Sequence, residues 1–235
     1  MHENNLIKKF IEISNKGWIK GVNNNFGSCG LTFEREIGKT QDADFFPDYN
    51  GIELKCCTRF SNYPLYLFTI SFDGPGLNET DRIAQLFGYS DKDFKDKKVL
   101  FAKLSGKHAI TQRNGYRMKL EINDSEEKIY LNVNSINGQL LDDKSYLTFQ
   151  SLYNHLTVKL NKMALIHASK KVFDNNYYYR FYRIDIYELR SFDNFISMLK
   201  EGKINVTLIS RLNKSGDKIG EYRNKNLVFE WMKVQ

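Results

Sequence analysis

Leu6, Ile7, Phe10, Ile11 and Ile13 recur at helical spacing between Asn4 and Asn15, with lysines on the other side, and predict an N-terminal packing helix. Beyond it the period shortens. In Ile52-Glu53-Leu54-Lys55-Cys56 apolar and charged residues alternate, which puts Ile52, Leu54 and Cys56 on one face of a strand and Glu53 and Lys55 together on the other. Leu65 to Phe72, Val99 to Leu104, Tyr116 to Ile122, Lys128 to Val133, Lys162 to Ala168, Tyr177 to Leu189, Ile204 to Leu212 and Leu227 to Trp231 read as further strands. Asn123 to Glu127 joins two of them as a hairpin, and Leu65 to Phe72 is expected beside the Ile52 strand. Helical spacing returns in Arg82 to Gly88. It returns again after Thr148, an N-cap for a helix carrying Phe149, Leu152, Leu156 and Leu160, and after Ser191, which caps a helix ending at Gly202. His155 falls on the surface of its helix as a structural residue, and Asp91 to Lys98 reads as a solvated loop. The mixture predicts an α/β fold with a mixed central sheet flanked by helices.

Composition adds limits. A chain of 235 residues, 41% hydrophobic and 14% aromatic, can bury a substantial core, and it is read as a single domain over residues 1–235. Two lobes are expected, about 1–105 and about 106–235. No apolar run approaches the roughly 20 residues of a membrane span and the N-terminus lacks a signal-peptide core, so a cytoplasmic protein without membrane attachment is expected. A net charge of +7 suits a polyanionic partner. Cys29, Cys56 and Cys57 cannot all pair, and adjacent Cys56 and Cys57 point to opposite faces, so no disulfide framework is expected. Zinc is not expected either, because the histidines show no ligand spacing with the cysteines.

The candidate chemistry lies just before and within the alternating strand. Gly51, preceded by Tyr49-Asn50, supplies a turn that lets Asp48 fold back beside Glu53. Two carboxylates and a backbone carbonyl, that of Leu54, suit Mg²⁺, which keeps several waters and takes the rest of its shell from substrate phosphate. Lys55 on the same face can orient the attacking water or neutralise the developing phosphorane charge. A Glu-x-Lys pair alone is more often a solvated face.

The pattern Pro47-Asp48 followed by Glu53-x-Lys55, with Gly30-Leu31-Thr32-Phe33-Glu34-Arg35-Glu36-Ile37-Gly38 before it, resembles the PD-(D/E)xK nuclease motif and the active-site helix of the MutH-related MvaI/BcnI restriction endonucleases. The later segments, from Tyr146-Leu147-Thr148 through Gly202-Lys203-Ile204, are similar in order. The resemblance implies a restriction-endonuclease-like fold with two lobes around a DNA cleft, and a type II enzyme hydrolysing phosphodiester bonds in a short specific sequence of double-stranded DNA. It implies Mg²⁺, with Mn²⁺ able to substitute, held by Asp48, Glu53 and Leu54. Lys55 is implied as the catalytic lysine and Glu34 as a further catalytic carboxylate. Glu36 competes with Glu34 and otherwise pairs with nearby lysines. Action as a monomer that nicks one strand at a time, alongside a DNA methyltransferase for the same site, is implied too. A MutH-like methylation-directed nickase is the alternative enzyme, a non-catalytic DNA-binding module the alternative from another class, and an RNA-binding protein a weaker one.

Contacts to DNA are expected from two loops, with two further segments open to either reading. Ser105 to Gly115 is rich in donors, among them Lys107, His108 and Arg113. Arg211 to Lys225 holds five basic and two acidic residues, a net +3 loop between strands. There Arg211, Asn213, Arg223 and Asn224 have base-reading chemistry, Lys214, Lys218 and Lys225 suit phosphates, and Tyr222 lies among them. The glycine-bearing connection from Gly17 to Gly27 is either an ordinary loop or a phosphate contact, and the strand Tyr177 to Leu189 either stacks bases or packs a sheet. Where similar enzymes carry a histidine-bearing segment, this chain has Arg223-Asn224-Lys225-Asn226, so their base preference is not carried over.

Overall fold

The computed structural model describes residues 2–39, 46–59, 64–214, 219 and 222–231, with backbone alone for 222–226. In chain order the first elements are α1 (His2–Asn15), β1 (Ile19–Lys20), α2 (Ser28–Glu36), β2 (Glu53–Thr58), β3 (Leu65–Ile70) and α3 (Glu79–Phe87). There follow β4 (Tyr89–Ser90), β5 (Lys98–Leu104), β6 (Ile110–Thr111), β7 (Arg117–Asn123), β8 (Lys128–Asn134), β9 (Leu140–Asp142) and β10 (Tyr146–Thr148). The chain continues with α4 (Phe149–Lys159), β11 (Lys162–Phe173), β12 (Asn176–Glu188), α5 (Phe192–Lys200), β13 (Ile204–Leu212) and β14 (Tyr222–Trp231). No helix among the described residues is long and apolar enough to cross a membrane.

The chain forms two units, Met1–Tyr63 with Leu156–Arg190, and Pro64–His155 with Ser191–Gln235. The lobes expected from sequence are each continuous; these units interleave, because β11 and β12 return to pair with β2. The first unit holds a sheet of order β1-β12-β11-β2, with β2 parallel to β11 and the other pairs antiparallel. One face of this sheet is apolar as the alternation requires. Ile52 and Leu54, Ala164 and Ile166 on β11, and Tyr179 and Phe181 on β12 pack with Leu6, Phe10 and Ile13 of α1 and Phe33 of α2 in one core. The rings of Phe33 and Phe181 meet edge-on at 5.2 Å. Each such side chain contributes on the order of 1.5–3 kcal/mol by leaving water. The Tyr177 to Tyr182 stretch therefore packs a sheet through Tyr179 and Phe181.

Two sheets make up the second unit, β10-β8-β7-β6 with β9 on β8, and β3-β14-β13-β5-β4. The expected hairpin is present, with Leu120 opposite Leu131. Strand β3 pairs with β14, not with β2, since its residues Leu65, Leu67 and Phe68 bury against the other sheet's core. Phe68 stacks on Phe229 at 4.8 Å. His155 is half-buried with its ring 4.9 Å from that of Phe68, not on the surface as its helical position suggests. The two caps stand as read: Thr148 Oγ1 accepts from Ser151 N–H and Ser191 Oγ from Asn194 N–H.

An ion-pair network ties α3 to β9. Arg82 donates to both oxygens of Asp142 at 2.6 and 2.9 Å and to Glu79 at 2.7 Å, and Ser145 bridges to Glu79. Glu79 and Asp142 are 5% and 7% exposed, so Arg82→Ala would leave two buried carboxylates without their cation. We expect it to lower the unfolding free energy by about 3 kcal/mol, and Arg82→Lys to recover less than half of that because the fork is lost. The Arg82 hydrogen bond holds the Asp142 carboxyl below its ordinary range. That contribution is complete above about pH 4 and disappears as pH falls through the lowered value, so urea unfolding should show the variant and the wild type converging in acid.

Candidate active site

A two-residue turn builds the site. Tyr49 and Ile52 exchange backbone hydrogen bonds at 2.9 and 2.8 Å, and between them Asn50 and Gly51 have φ of +46° and +84°. Positive φ at both central positions is the turn that Asn-Gly favours. It returns Asp48 to the start of β2, where Asp48 Oδ2 accepts from Leu54 N–H at 2.9 Å. A residue's N–H and C=O leave a strand on the same edge, so the Leu54 carbonyl also lies on the Asp48 side, away from β11.

Glu53, 3% exposed, sits under a pair of lysines. Lys55 donates to Glu53 Oε1 at 2.8 Å, and Lys159 Nζ at the end of α4 lies 3.1 Å from Oε2. That second contact is an ion pair by distance and lacks hydrogen-bond geometry, so Glu53 Oε2 is buried with no hydrogen-bond donor. Lys39 donates to Asp48 Oδ1 at 2.5 Å. Burial opposes ionisation of Asp48, but the bonds from Lys39 and Leu54 outweigh it and hold the carboxyl below its ordinary range.

Glu34 on α2 titrates in the opposite direction. Burial raises it first, and the carboxylates of Asp48 and Glu53 raise it further. Glu36 instead pairs with Lys16 at 2.8 Å and with Arg35 at 2.8 Å on the surface. Of the two glutamates, then, Glu34 feels the Asp48-Glu53 pair and Glu36 does not. Among the described residues no three His, Cys, Asp or Glu side chains come together as a complete metal cage. An ion such as Mg²⁺ does not need one. The two carboxylates of Asp48 and Glu53, a carbonyl on the same edge and a carboxylate oxygen lacking a hydrogen bond fit such an ion.

Sequence reasoning overlooked Lys39 and Lys159. Lys39 follows Gly38 by one position and Lys159 is the last residue of its helix, and nothing in the residue pattern singles either out. The expected absence of a disulfide is corrected. Cys29 and Cys56 are joined, with Cα atoms 6.1 Å apart, because α2 packs on the apolar face of β2 to which Cys56 points.

The expected DNA contacts scatter. Lys107 and His108 are exposed in the turn before β6. Arg113 and Arg211 meet across a recess of about 370 Å³ that includes Tyr89, Phe101 and Ser210, with Arg113 over the Tyr89 ring and Arg211 over the Phe101 ring. Arg211 belongs to β13 and pairs with Arg223 of β14, so the ladder runs into the segment expected as loop. Asn213 is half-buried, and Lys214 pairs with Asp93 at 2.5 Å and Asp91 at 3.1 Å. Asp91 is itself buried, capping the turn with its side chain, so Asp91 to Lys98 is more anchored than a solvated loop. Lys218 lies outside the described residues, as do the side chains of Tyr222, Arg223, Asn224 and Lys225. The Gly17 to Gly27 connection is tied down, Gly21 N–H donating to Tyr177 O at 2.7 Å and Asn24 bonding to Asn175 and Tyr177.

Comparison with known proteins agrees with this architecture. The sequence matches the MvaI/BcnI restriction endonuclease family over residues 7–230. The structure is similar to restriction endonuclease MvaI in complex with its cognate DNA substrate, with a TM-score of 0.89, 24% identity and coverage of 97% of this chain and 92% of that one. It is also similar to MvaI in the absence of DNA, with a TM-score of 0.60, 21% identity and coverage of 98% and 92%. No curated protein sequence matches the chain.

The turn geometry makes one substitution informative. Gly51→Val forces a β-branched residue to φ of +84°, and we expect a loss of about 1–2 kcal/mol in stability. Faster hydrogen exchange at the Leu54 amide, with the β7–β8 amides unchanged, would show that the loss is localised at the Asp48 turn.

Proposed function

Because the chain belongs to the MvaI/BcnI restriction endonuclease family, we infer that it is a type II enzyme cutting a short specific sequence in double-stranded DNA with Asp48, Glu53 and Lys55. The observation that carries this reading is the buried Glu53 Oε2. A carboxylate 3% exposed, with no hydrogen bond to Oε2 and held there only by the Lys159 charge at 3.1 Å, is without benefit in a module that only binds. Asp48, Glu53 and the Leu54 carbonyl are the groups that would hold Mg²⁺, or Mn²⁺ in its place. The bound ion supplies positive charge at the phosphate oxygens and makes water a better nucleophile.

The protein's own groups do the rest. Lys55 Nζ, fixed by Glu53 at 2.8 Å, is positioned to orient the attacking water and to offset charge growing on the phosphate. Asp48 stays ionised through its bonds from Lys39 and Leu54. Glu34, raised by burial and by its carboxylate neighbours, is suited to exchange a proton with a water at the site. Lys39 and Lys159 hold the carboxylates until metal and phosphate arrive. Arg113 and Arg211, with Lys107, His108, Asn213 and the 222–225 segment, are the residues proposed to contact DNA. The enzyme is proposed to act in the cytoplasm as a monomer that nicks one strand at a time, alongside a DNA methyltransferase that modifies the same site.

Long unmethylated DNA incubated with Mg²⁺ should give discrete fragments, absent with EDTA. Asp48→Ala should lose cleavage by about 10³-fold or more and Lys55→Ala by about 10²–10³-fold, while both still bind the site with Ca²⁺ present. Sequential nicking should pass supercoiled plasmid through an open-circle stage. Binding without cleavage under Mg²⁺ and Mn²⁺ would sink the enzyme reading, and cutting confined to hemimethylated DNA would replace it with a repair nickase.

A further inference from the structure

The polar face of the first unit's sheet carries a second constellation beyond Lys55. Cys57 follows Lys55 by two positions, so both side chains leave the same face of β2. Cys57 Sγ lies 3.3 Å from His167 Nδ1, its partner across the parallel ladder. The other imidazole nitrogen, Nε2, lies 2.9 Å from Asp185 Oδ2, and Asp185 Oδ1 accepts from Arg183 at 2.8 Å. Burial opposes ionisation of Asp185, and the bonds from Arg183 and His167 outweigh it, so this carboxylate stays charged. The neutral tautomer in which Nδ1 accepts from the thiol leaves Nε2–H to donate to Asp185, so the carboxylate favours the form able to take the thiol proton.

We propose that Cys57 is a reactive thiol, activated by His167 and Asp185, that forms mixed disulfides with small disulfide compounds beside the nuclease site. The argument rests on three features. A thiolate is the nucleophile in thiol-disulfide exchange, and a neighbouring His⁺ stabilises it. The cluster is reachable, since Cys57 is half-buried and the side chains of His167 and Asp185 are 21% and 22% exposed. The titratable and charged groups around the sulfur are His167 from β11, Lys55 with its partner Glu53 from β2, and Arg183, Asp185 and Tyr187 from β12; each of the two fixed cations is already bonded to a carboxylate, so the activation falls to His167. A metal site is a poorer use of these residues, because the sulfur and the carboxylate engage opposite nitrogens of one ring.

The exchange balances within the cluster. His167 Nδ1 takes the thiol proton, the Cys57 thiolate attacks one sulfur of the incoming disulfide, and the new Sγ–S bond forms as the old S–S bond breaks. The departing thiolate takes the proton from the imidazolium; Cys57 is oxidised and the departing sulfur reduced. The adduct then stands about 7 Å along the strand from Lys55, on the face that carries Glu53. Building on the nuclease reading above, such an adduct blocks DNA cleavage, and reduction restores it.

Rates of alkylation by iodoacetamide, mapped by peptide mass without reductant, test the activation. At about pH 6.5 we expect Cys57 to react on the order of ten-fold faster in the wild type than in His167→Gln, with Asp185→Asn in between, and the gap to close near pH 9.5 where a thiol ionises unaided. Equal rates at pH 6.5, or one ratio at both pH values, would overturn the proposal; Asp185→Asn gives the same reading if His167→Gln does not fold. Cys57→Ser assigns the label, since Cys56 shares its peptide. Oxidised glutathione should then add one glutathionyl group and abolish cleavage until dithiothreitol is added, while Cys57→Ser keeps cutting. An adduct that leaves cleavage unchanged would refute the blocking step. Absence of cleavage in every preparation would count against the nuclease reading alone, with the alkylation ratios still deciding the thiol.

Discussion

The parallel ladder between β2 and β11 is the constraint on which the first unit depends. Met163 to Ala168 align with Glu53 to Thr58, residues about a hundred positions earlier, and in doing so place His167 beside Cys57 and Leu165 beside Lys55. Parallel strands need a crossover, and here everything from β3 to α4 is threaded between the two partners. The pairing also fixes which way each strand faces. A slip of one residue would send Glu53 and Lys55 into the core with Phe33 and Phe181, a cost in buried charge that no neighbouring group could offset.

Electrostatics at the site follows from that register. Two carboxylates separated by one tight turn repel each other, and three lysines from three different segments answer them: Lys39 after α2, Lys55 within β2, Lys159 at the end of α4. The balance leaves Asp48 easily ionised and Glu34 reluctantly so, a division of labour among like groups set by their surroundings rather than by residue type. A restriction endonuclease must keep such a charged cluster intact until DNA brings further negative charge.

Local chemistry was legible in the sequence; distant pairing was not. The Ile52 to Cys56 alternation, the Asn50-Gly51 turn, the Thr148 and Ser191 caps and the β7–β8 hairpin all depend on neighbours within a few residues, and each stands where the pattern puts it. Strand β3 lies next to β2 in sequence and pairs elsewhere, because burial of Leu67 and Phe68 decides its partner and periodicity cannot name one. The Cys29–Cys56 bond and the approach of Lys159 are likewise consequences of tertiary packing. His155 shows the same limit at smaller scale: its helix was read correctly, yet Phe68 from a distant strand covers it. The Cys57-His167-Asp185 constellation needs three strands in register before it exists.

Among the described residues β2 is the outer strand of its sheet, with β11 on one side only. An outer strand offers unpaired N–H and C=O groups to any passing strand, which is how sheets of separate molecules come to fuse. Here the Leu54 N–H is already taken by Asp48, folded over the edge by its turn. The carboxylate proposed to grip a metal ion thus also caps the rim of the sheet, and a chain that lost Asp48 would expose a bare strip of backbone as well as a silent active site.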